Sequence, residues 1–585
     1  MKVPNTIFST ITIALLVVSA GSAFSQAPAA AATATPAAPV PRDPQLSIFG
    51  IGNSAANSGN HPKWMPLMVA IGIRDCRSGS GGWGTEMEEG VFDFTKFDSR
   101  IGYDESIGVQ DGVLLYGWPP WKKPPEKGLA MSSLPEWTTM VREVAKHSKG
   151  RIKLFEVWNE PPNSTTKEQT GADYAKLVCA TYDGAKAGNP DAMVGMAAKS
   201  AHLTYLDQAL RNGAKGHFDY ITLHPYEILG CVLNNPGTEP MFLSIVPNVR
   251  KMLAKRDPAK VNAPVIFTEI GYDSRRGLDK QAQAVLKTYI MGIHSGVACI
   301  NWFEGMDGDS GPLGLLDGKC NPRPAYTSLG KLIEVVGRHP TSIGWVLLND
   351  KHYGFMIQGP KGPVLGTWAA TSKPDMVNFG QTVNIIDPIA GTTTEAATCN
   401  LSMSPVLITN VPASLVAQAK ANMNKPIPWG GDYSKAKSVS VTFADKYEEK
   451  GLHTLAGTSI AADVLAYGGS ARSGELPKGG NVFYIDPNFL SYDTVPIEIT
   501  ARVKLKDPAH KAGLSVEYES EKTVREGYAR TPNLQIPEDT SQWHDVSWKI
   551  DDSQFVGTWA FHFRLSGDPK NYLIQSLTVK RLDRS

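Results

Sequence analysis

Between Leu46 and Val336, eight short β-branched or apolar runs alternate with longer stretches of helical periodicity. This alternation leaves few architectures open, because repeated β–α steps favour a parallel sheet covered by its own helices. The runs are Leu46–Gly52, Val69–Asp75, Gly112–Tyr116, Lys153–Trp158, Ala192–Ala197, Phe218–Leu223, Pro264–Glu269 and Ala298–Phe303. Helices are expected at Pro135–Ser148, Gly171–Ala187, Ala201–Asn212, Phe242–Lys255 and Gln281–Ser295. Eight such units predict a (β/α)8 TIM barrel over residues 46–337. A doubly wound open sheet is the alternative, but its nucleotide fingerprint after the first strand is missing. The Gly79–Gly84 stretch has neither the lysine nor the strand–helix setting of a phosphate loop.

In a barrel, chemistry collects at the C-terminal ends of the strands. The fourth run, Phe155-Glu156-Val157-Trp158, leads into Asn159-Glu160-Pro161, and the seventh, Val265-Ile266-Phe267-Thr268, ends on Glu269. Alone, Asn-Glu-Pro is an ordinary strand-to-loop turn, with Pro161 able to open a helix. Two glutamates presented by two buried strands are what glycosidic cleavage requires. One carboxyl protonates the leaving oxygen, and the other attacks the anomeric carbon or activates water. Arg74 falls near the end of the second run, His224 and Tyr226 follow the sixth, and Trp302 and Glu304 end the eighth. Trp118 and Trp121 lie just past the third, where an aromatic face can hold a sugar ring.

These residues resemble those of the retaining glycoside hydrolases with catalytic glutamates on strands four and seven. Family 39 of the glycoside hydrolases is the most similar. The resemblance rests on Ile73-Arg74-Asp75, Glu89-Gly90-Val91-Phe92-Asp93-Phe94 with Phe97-Asp98, Trp158-Asn159-Glu160-Pro161, His224-Pro225-Tyr226, Thr268-Glu269-Ile270-Gly271 and Trp302. It covers about half of the chain and implies Glu160 as general acid/base and Glu269 as nucleophile, with net retention. Glu160 then needs a raised pKa, and Glu269 needs donors such as Arg74 and Tyr226. Asn159 is expected on the sugar 2-hydroxyl, with helix capping as its bland alternative. His224, Tyr226, Trp118 and Trp302 are expected to bind substrate, and Glu304 to serve as a structural ion partner. The chemistry needs no cofactor, and no metal-ligand spacing is visible.

Past Pro340, short alternating runs at Trp345–Leu348, Tyr353–Ile357, Val364–Ala369, Thr382–Ile386 and Pro405–Thr409 predict a small β-sandwich over 338–416. A polar linker is expected at 417–437, then a jelly-roll β-sandwich over 438–585. In that last domain Tyr518, Trp543, Trp559 and Phe561 are carbohydrate platforms or core residues with equal weight.

At the N-terminus, Lys2, the apolar Ile11–Val18 and Ala23-Phe24-Ser25 form a signal-peptide pattern over 1–25. An Ala/Pro-rich tether over 26–45 follows. The expected location is therefore secreted or periplasmic. The net charge is +1, which gives no footprint for nucleic acid, and no segment is long enough to span a membrane. The expected partner is a poly- or oligosaccharide met by a monomer. Six cysteines lack metal spacing, with Cys231 and Cys320 the candidates for oxidation. A non-catalytic carbohydrate-binding protein and a transglycosidase are the alternatives to a hydrolase.

Overall fold

The computed structural model describes residues 45–583 apart from 79–80, 124–125, 429–430, 444–446, 455–471, 474–480, 523–527 and 568–570. The signal-peptide segment, and all of the tether but residue 45, lie outside the described residues. The first eight strands are β1 (Phe49–Gly52), β2 (Asp75–Ser78), β3 (Gln110–Leu115), β4 (Leu154–Val157), β5 (Met193–Lys199), β6 (Tyr220–His224), β7 (Val265–Ile270) and β8 (Cys299–Trp302). Each pairs in parallel with the next, and β8 pairs with β1 to close a TIM barrel. Full closure leaves no sheet edge, and the helices between strands form the outer layer.

The second strand differs in register from the expectation. Val69 belongs to a helix, His61–Ala70, which buries His61, Trp64, Met65 and Met68 in the i, i+3, i+4, i+7 pattern of one helical face. The chain then turns through Gly72, whose φ of +100° suits glycine, and β2 begins only at Asp75. After β6 the chain forms a helix over Tyr226–Asn234, with Ile228, Leu229, Val232 and Leu233 buried.

A six-stranded antiparallel sheet follows, built from β9 (Thr341–Leu348), β10 (His352–Gly359), β11 (Gly362–Thr367), β12 (Asp375–Asp387), β13 (Thr392–Leu401) and β14 (Val406–Thr409). Its strands alternate between two apolar clusters, as a side-chain period of two requires. Trp345, Phe355, Ile357 and Val364 join the barrel's core, whereas Val346, Met356 and Leu365 form a second cluster with Ala419. Ala419 lies in a helix, Ala413–Asn422, where a linker was expected to begin. That segment is ordered because Trp345 donates from its indole to the Lys425 carbonyl, while Asn422 donates to the Trp345 carbonyl.

The C-terminal domain consists of two antiparallel sheets. The long strand Ile497–Leu505 buries Ile497, Ile499, Ala501, Val503 and Leu505 between them. This domain is fused to the barrel by burial, since Tyr484, Tyr492, Val556 and Ala560 belong to the barrel's apolar cluster. Tyr492 also donates to Asp207 Oδ1 at 2.6 Å, and Asp207 accepts from Arg256 Nε at 2.7 Å. All six cysteines are free thiols, Cys231 and Cys320 included. Among the described residues, no helix is long and apolar enough to cross a membrane.

Removing the Tyr492 hydroxyl would leave a fully buried carboxylate short of a donor. Tyr492→Phe is expected to cost about 1.5–3 kcal/mol, read as a lower urea midpoint for the full chain.

Candidate active site

At the C-terminal mouth of the barrel, six charged side chains close into one network. Arg77, on β2, donates through Nε to Glu156 Oε2 at 2.7 Å, through Nη2 to Asn159 Oδ1 at 3.0 Å, and through Nη1 to Glu269 Oε1. His224, ending β6, places Nδ1 3.0 Å from Glu160 Oε1 and Nε2 2.9 Å from Thr268 Oγ1. Thr268 in turn donates to Glu156 Oε1 at 2.8 Å. Lys199, ending β5, reaches Glu160 Oε1 at 3.0 Å, and Tyr226 donates to Glu269 Oε2 at 3.1 Å. With His224 protonated, three cations balance three carboxylates.

The backbone is bent to make this geometry. β4 ends at Val157, after which Trp158 and Glu160 adopt left-handed φ values of 66° and 50°. For residues with a Cβ this costs on the order of 1 kcal/mol each. Packing holds the bend: Trp158 is fully buried, its ring tilted against Tyr116 and Trp137. Its N–H donates to the Leu115 carbonyl at 2.9 Å. No helix begins at Pro161; the next one starts at Gly171 and is capped by Thr170. Asn159 is therefore not a helix cap. Arg77 occupies its Oδ1, which leaves the amide NH2 as its donor.

Electrostatics decide where protons sit. Burial works to raise the Glu156 and Glu160 pKa values, but cationic partners overcome it. Arg77 and His224 bring Glu156 down to about 2, and His224 and Lys199 bring Glu160 down to about 2. Burial works to lower His224, yet Glu269, Glu156 and Glu160 raise it to about 9. Glu160 was expected to have a raised value; instead the nearby proton resides on the imidazole that faces it. Burial pushes the Tyr226 phenol well up, reinforced by Glu269 and Glu160, so it remains a donor.

Several expected site residues lie elsewhere. Arg74 precedes β2, and its guanidinium donates to the Val69 and Ile73 carbonyls at 2.7 and 3.0 Å. Arg77 takes the position beside Glu269 that was assigned to Arg74. Trp302 is fully buried, and its indole donates to the Leu313 carbonyl at 3.2 Å, so it offers no open face. Trp118 stays half-buried at the rim, donating to the Gly128 carbonyl at 2.8 Å and packed edge-on to Trp158. Tyr116 beside it is 41% exposed, which makes it the more open platform. Glu304 is fully buried and accepts from the Ser54 and Gly308 N–H groups and from Asn57 Nδ2, so it orders loops, and among the described residues it pairs with no cation.

Arg77, Glu156 and Lys199 were not singled out from the sequence. Their signal was a charged residue inside, or directly ending, an otherwise apolar strand, because such a charge needs a partner. Glu160, His224 and Glu269 each offer one ligand atom, and the three atoms lie within 4.8 Å of one another. This set could hold a divalent ion. Arg77, Lys199 and Tyr226 already donate to the same carboxylates, so an ion would have to displace them.

The chain is structurally similar to a family 39 glycoside hydrolase from the gut symbiont Bacteroides cellulosilyticus WH2. The TM-score is 0.53 at 17% identity, over 62% of this chain and 81% of that one. An exo-β-1,4-mannosidase from Opitutaceae bacterium strain TAV5 gives 0.41 at 16% identity, over 49% and 59%. Xylanase 10B from Thermotoga maritima gives 0.37 at 18% identity, over 50% and 95%. At these identities the likeness is one of fold. No family model matches the chain, and no curated protein matches it.

Arg77 touches both Glu156 and Glu269, so its loss leaves the buried Glu156 charge without its cation and takes a donor from the half-buried Glu269. Arg77→Met is expected to lower the unfolding free energy by about 3–5 kcal/mol, measured by urea denaturation.

Proposed function

We propose that this chain is a secreted glycoside hydrolase that cleaves O-glycosidic bonds of a poly- or oligosaccharide with retention of configuration. The observation that carries the reading is the approach of Glu160 and Glu269 across His224, with ligand atoms within 4.8 Å. Retaining enzymes set their two carboxyls about 5–5.5 Å apart, whereas inverting ones need about 6.5–9.5 Å to admit water. The sequence resemblance to family 39 points the same way, and the signal-peptide pattern supports export.

In this mechanism Glu269 attacks the anomeric carbon as the glycosidic C–O bond breaks, and Glu160 gives its proton to the departing oxygen. A covalent glycosyl ester on Glu269 results. Glu160, now ionised, takes a proton from water, which attacks the same carbon and releases Glu269. Arg77 and Tyr226 donate to the two oxygens of Glu269 and hold them in place. Glu160 must carry a proton at the first step, and His224 Nδ1 is the nearest source at 3.0 Å. The Asn159 amide donates to the sugar 2-hydroxyl, a contact that tightens as charge develops at the anomeric carbon.

Turnover of aryl glycosides and polysaccharides by wild type, with none by Glu269→Gln of unchanged fold, would sustain the reading; equal turnover by both would end it. Glu160→Gln is expected to slow oligosaccharide cleavage by about 10²–10⁴-fold. Glycosylation from a nitrophenyl glycoside should slow far less, since that leaving group needs little protonation.

The pH dependence follows from His224. Its raised pKa means the proton is present below about 9 and lost above it. We expect kcat/KM for an oligosaccharide to fall about tenfold per pH unit beyond that point. An alkaline limb that stays in place in His224→Gln would remove His224 as its origin.

A further inference from the structure

Beside Lys199 a cavity of about 700 Å³ opens between the barrel mouth and the C-terminal domain. Pro162, Asn163 and Lys199 border it, whereas Glu160, Glu269 and Arg77 do not; Lys199, which donates to Glu160 at 3.0 Å, joins it to the site. Its size is that of a ligand pocket. Lys167 and Lys199 line it from the barrel, and Arg530 and Arg564 face them from the C-terminal domain. Among the described residues of the lining, Glu517 is the one carboxylate, shared between the two arginines. Each guanidinium commits one nitrogen to Glu517. A guanidinium carries five N–H donors, so both retain donors in the geometry that matches an oxyanion.

The wall is rigid. Glu519 is fully buried and accepts from the N–H groups of Val556, Gly557 and Thr558 at 2.7, 2.9 and 2.6 Å. Ser200, next to Lys199, donates to the Thr558 carbonyl and ties this loop to the barrel. Trp559, which the loop carries, and Phe561 are half-buried in the cavity lining. Tyr528 donates to the Phe561 carbonyl at 2.9 Å. Aromatic faces suit the apolar C–H face of a sugar, and the surrounding cations suit a negative charge on it.

We propose that this cavity is the leaving-group subsite and that it selects a saccharide carrying an oxyanion, a uronate carboxylate or a sulfate. The inference rests on Glu160 being the acid/base, since the departing oxygen must lie beside that group and Lys199 joins it to the cavity. It goes further by assigning the C-terminal domain a direct part in choosing substrate. It also gives the Lys199–Glu160 pair a use. An anion in the cavity competes for the Lys199 ammonium, and this frees Glu160 in the complex where it must hold a proton.

The test is titration calorimetry on the full chain at 20 mM and 500 mM NaCl. The probes are oligogalacturonate, carrageenan oligosaccharides and neutral galacto-oligosaccharides of equal length. At least one charged probe should bind tenfold or more tighter than the neutral one and weaken several-fold in salt. The double variant Arg530→Gln, Lys167→Gln should lose tenfold or more of that affinity; Arg530 is 62% exposed, and Glu517 keeps Arg564. Preference for the uronate or for the sulfated probe identifies which oxyanion is read. Equal binding of neutral and charged probes, or a double variant that binds as wild type does, overturns the proposal. If Glu269→Gln abolishes turnover but no charge preference exists, this subsite alone is wrong. Charge-selective binding with no turnover of any glycoside would remove the role of Glu160 on which it stands.

Discussion

The site depends on the guanidinium of Arg77. It touches Glu156 inside the barrel, Asn159 at its mouth and Glu269 at the end of β7. A carboxylate as buried as Glu156, at 2% exposure, is tolerated only when a charge and hydrogen bonds compensate it. Arg77, with Thr268 and His224 behind it, supplies both. A guanidinium stays charged at any working pH, so its hydrogen bonds to Glu156 and Glu269 persist whatever the third carboxylate does. In the mechanism proposed above, this fixes the oxygens of the nucleophile next to a group that changes its protonation twice in each cycle.

The third carboxylate is treated differently. Glu160 has no arginine; its partners are Lys199 and His224. The imidazole gives up its proton above about pH 9, and the ammonium can be drawn aside by another anion. The low pKa of Glu160 is therefore set by two partners that substrate can perturb. An acid/base fixed by an arginine would have no such freedom. Coupled titrations of this kind belong to the network and not to one residue.

Much of the barrel was legible because eight runs of the right length alternate with helical periodicity, a pattern that few folds share. The placement of Glu160 and Glu269 at the barrel mouth was legible for the same reason, each following or ending a run. What failed was register. The stretch Leu67–Ile73 is apolar throughout and offers no alternation to phase, so the helix His61–Ala70 and the turn at Gly72 were absorbed into a strand. A three-residue slip then put Arg74 where Arg77 stands. Trp302 illustrates a second difficulty. A tryptophan at the end of a barrel strand is compatible with a platform or with core, and burial, which sequence does not give, decides it. Lys199 was passed over because a lysine after an apolar strand is usually solvated. Only the meeting of β5 with the β4 loop shows its partner.

The aromatic residues of the C-terminal domain illustrate the same limit with a more useful outcome. Tyr518 and Trp559 were equivalent in sequence, each a platform or a core residue. Tyr518 is buried, and its hydroxyl donates to Asp552 at 2.8 Å, inside its own domain. Trp559 instead sits on a loop whose backbone is fixed by Glu519 and whose far side faces Lys199 across the cavity. The domain's contact with the barrel explains the difference. Tyr492 on Asp207, Ser491 on Asn248 and Ser200 on the Thr558 carbonyl fix the orientation of the two units through buried hydrogen bonds. A module tethered only by a linker could not keep two arginines in register with a barrel lysine. Held this way, the second domain becomes a wall of the cleft, and changes in its loops alter what the barrel can cleave without touching the residues that cleave it.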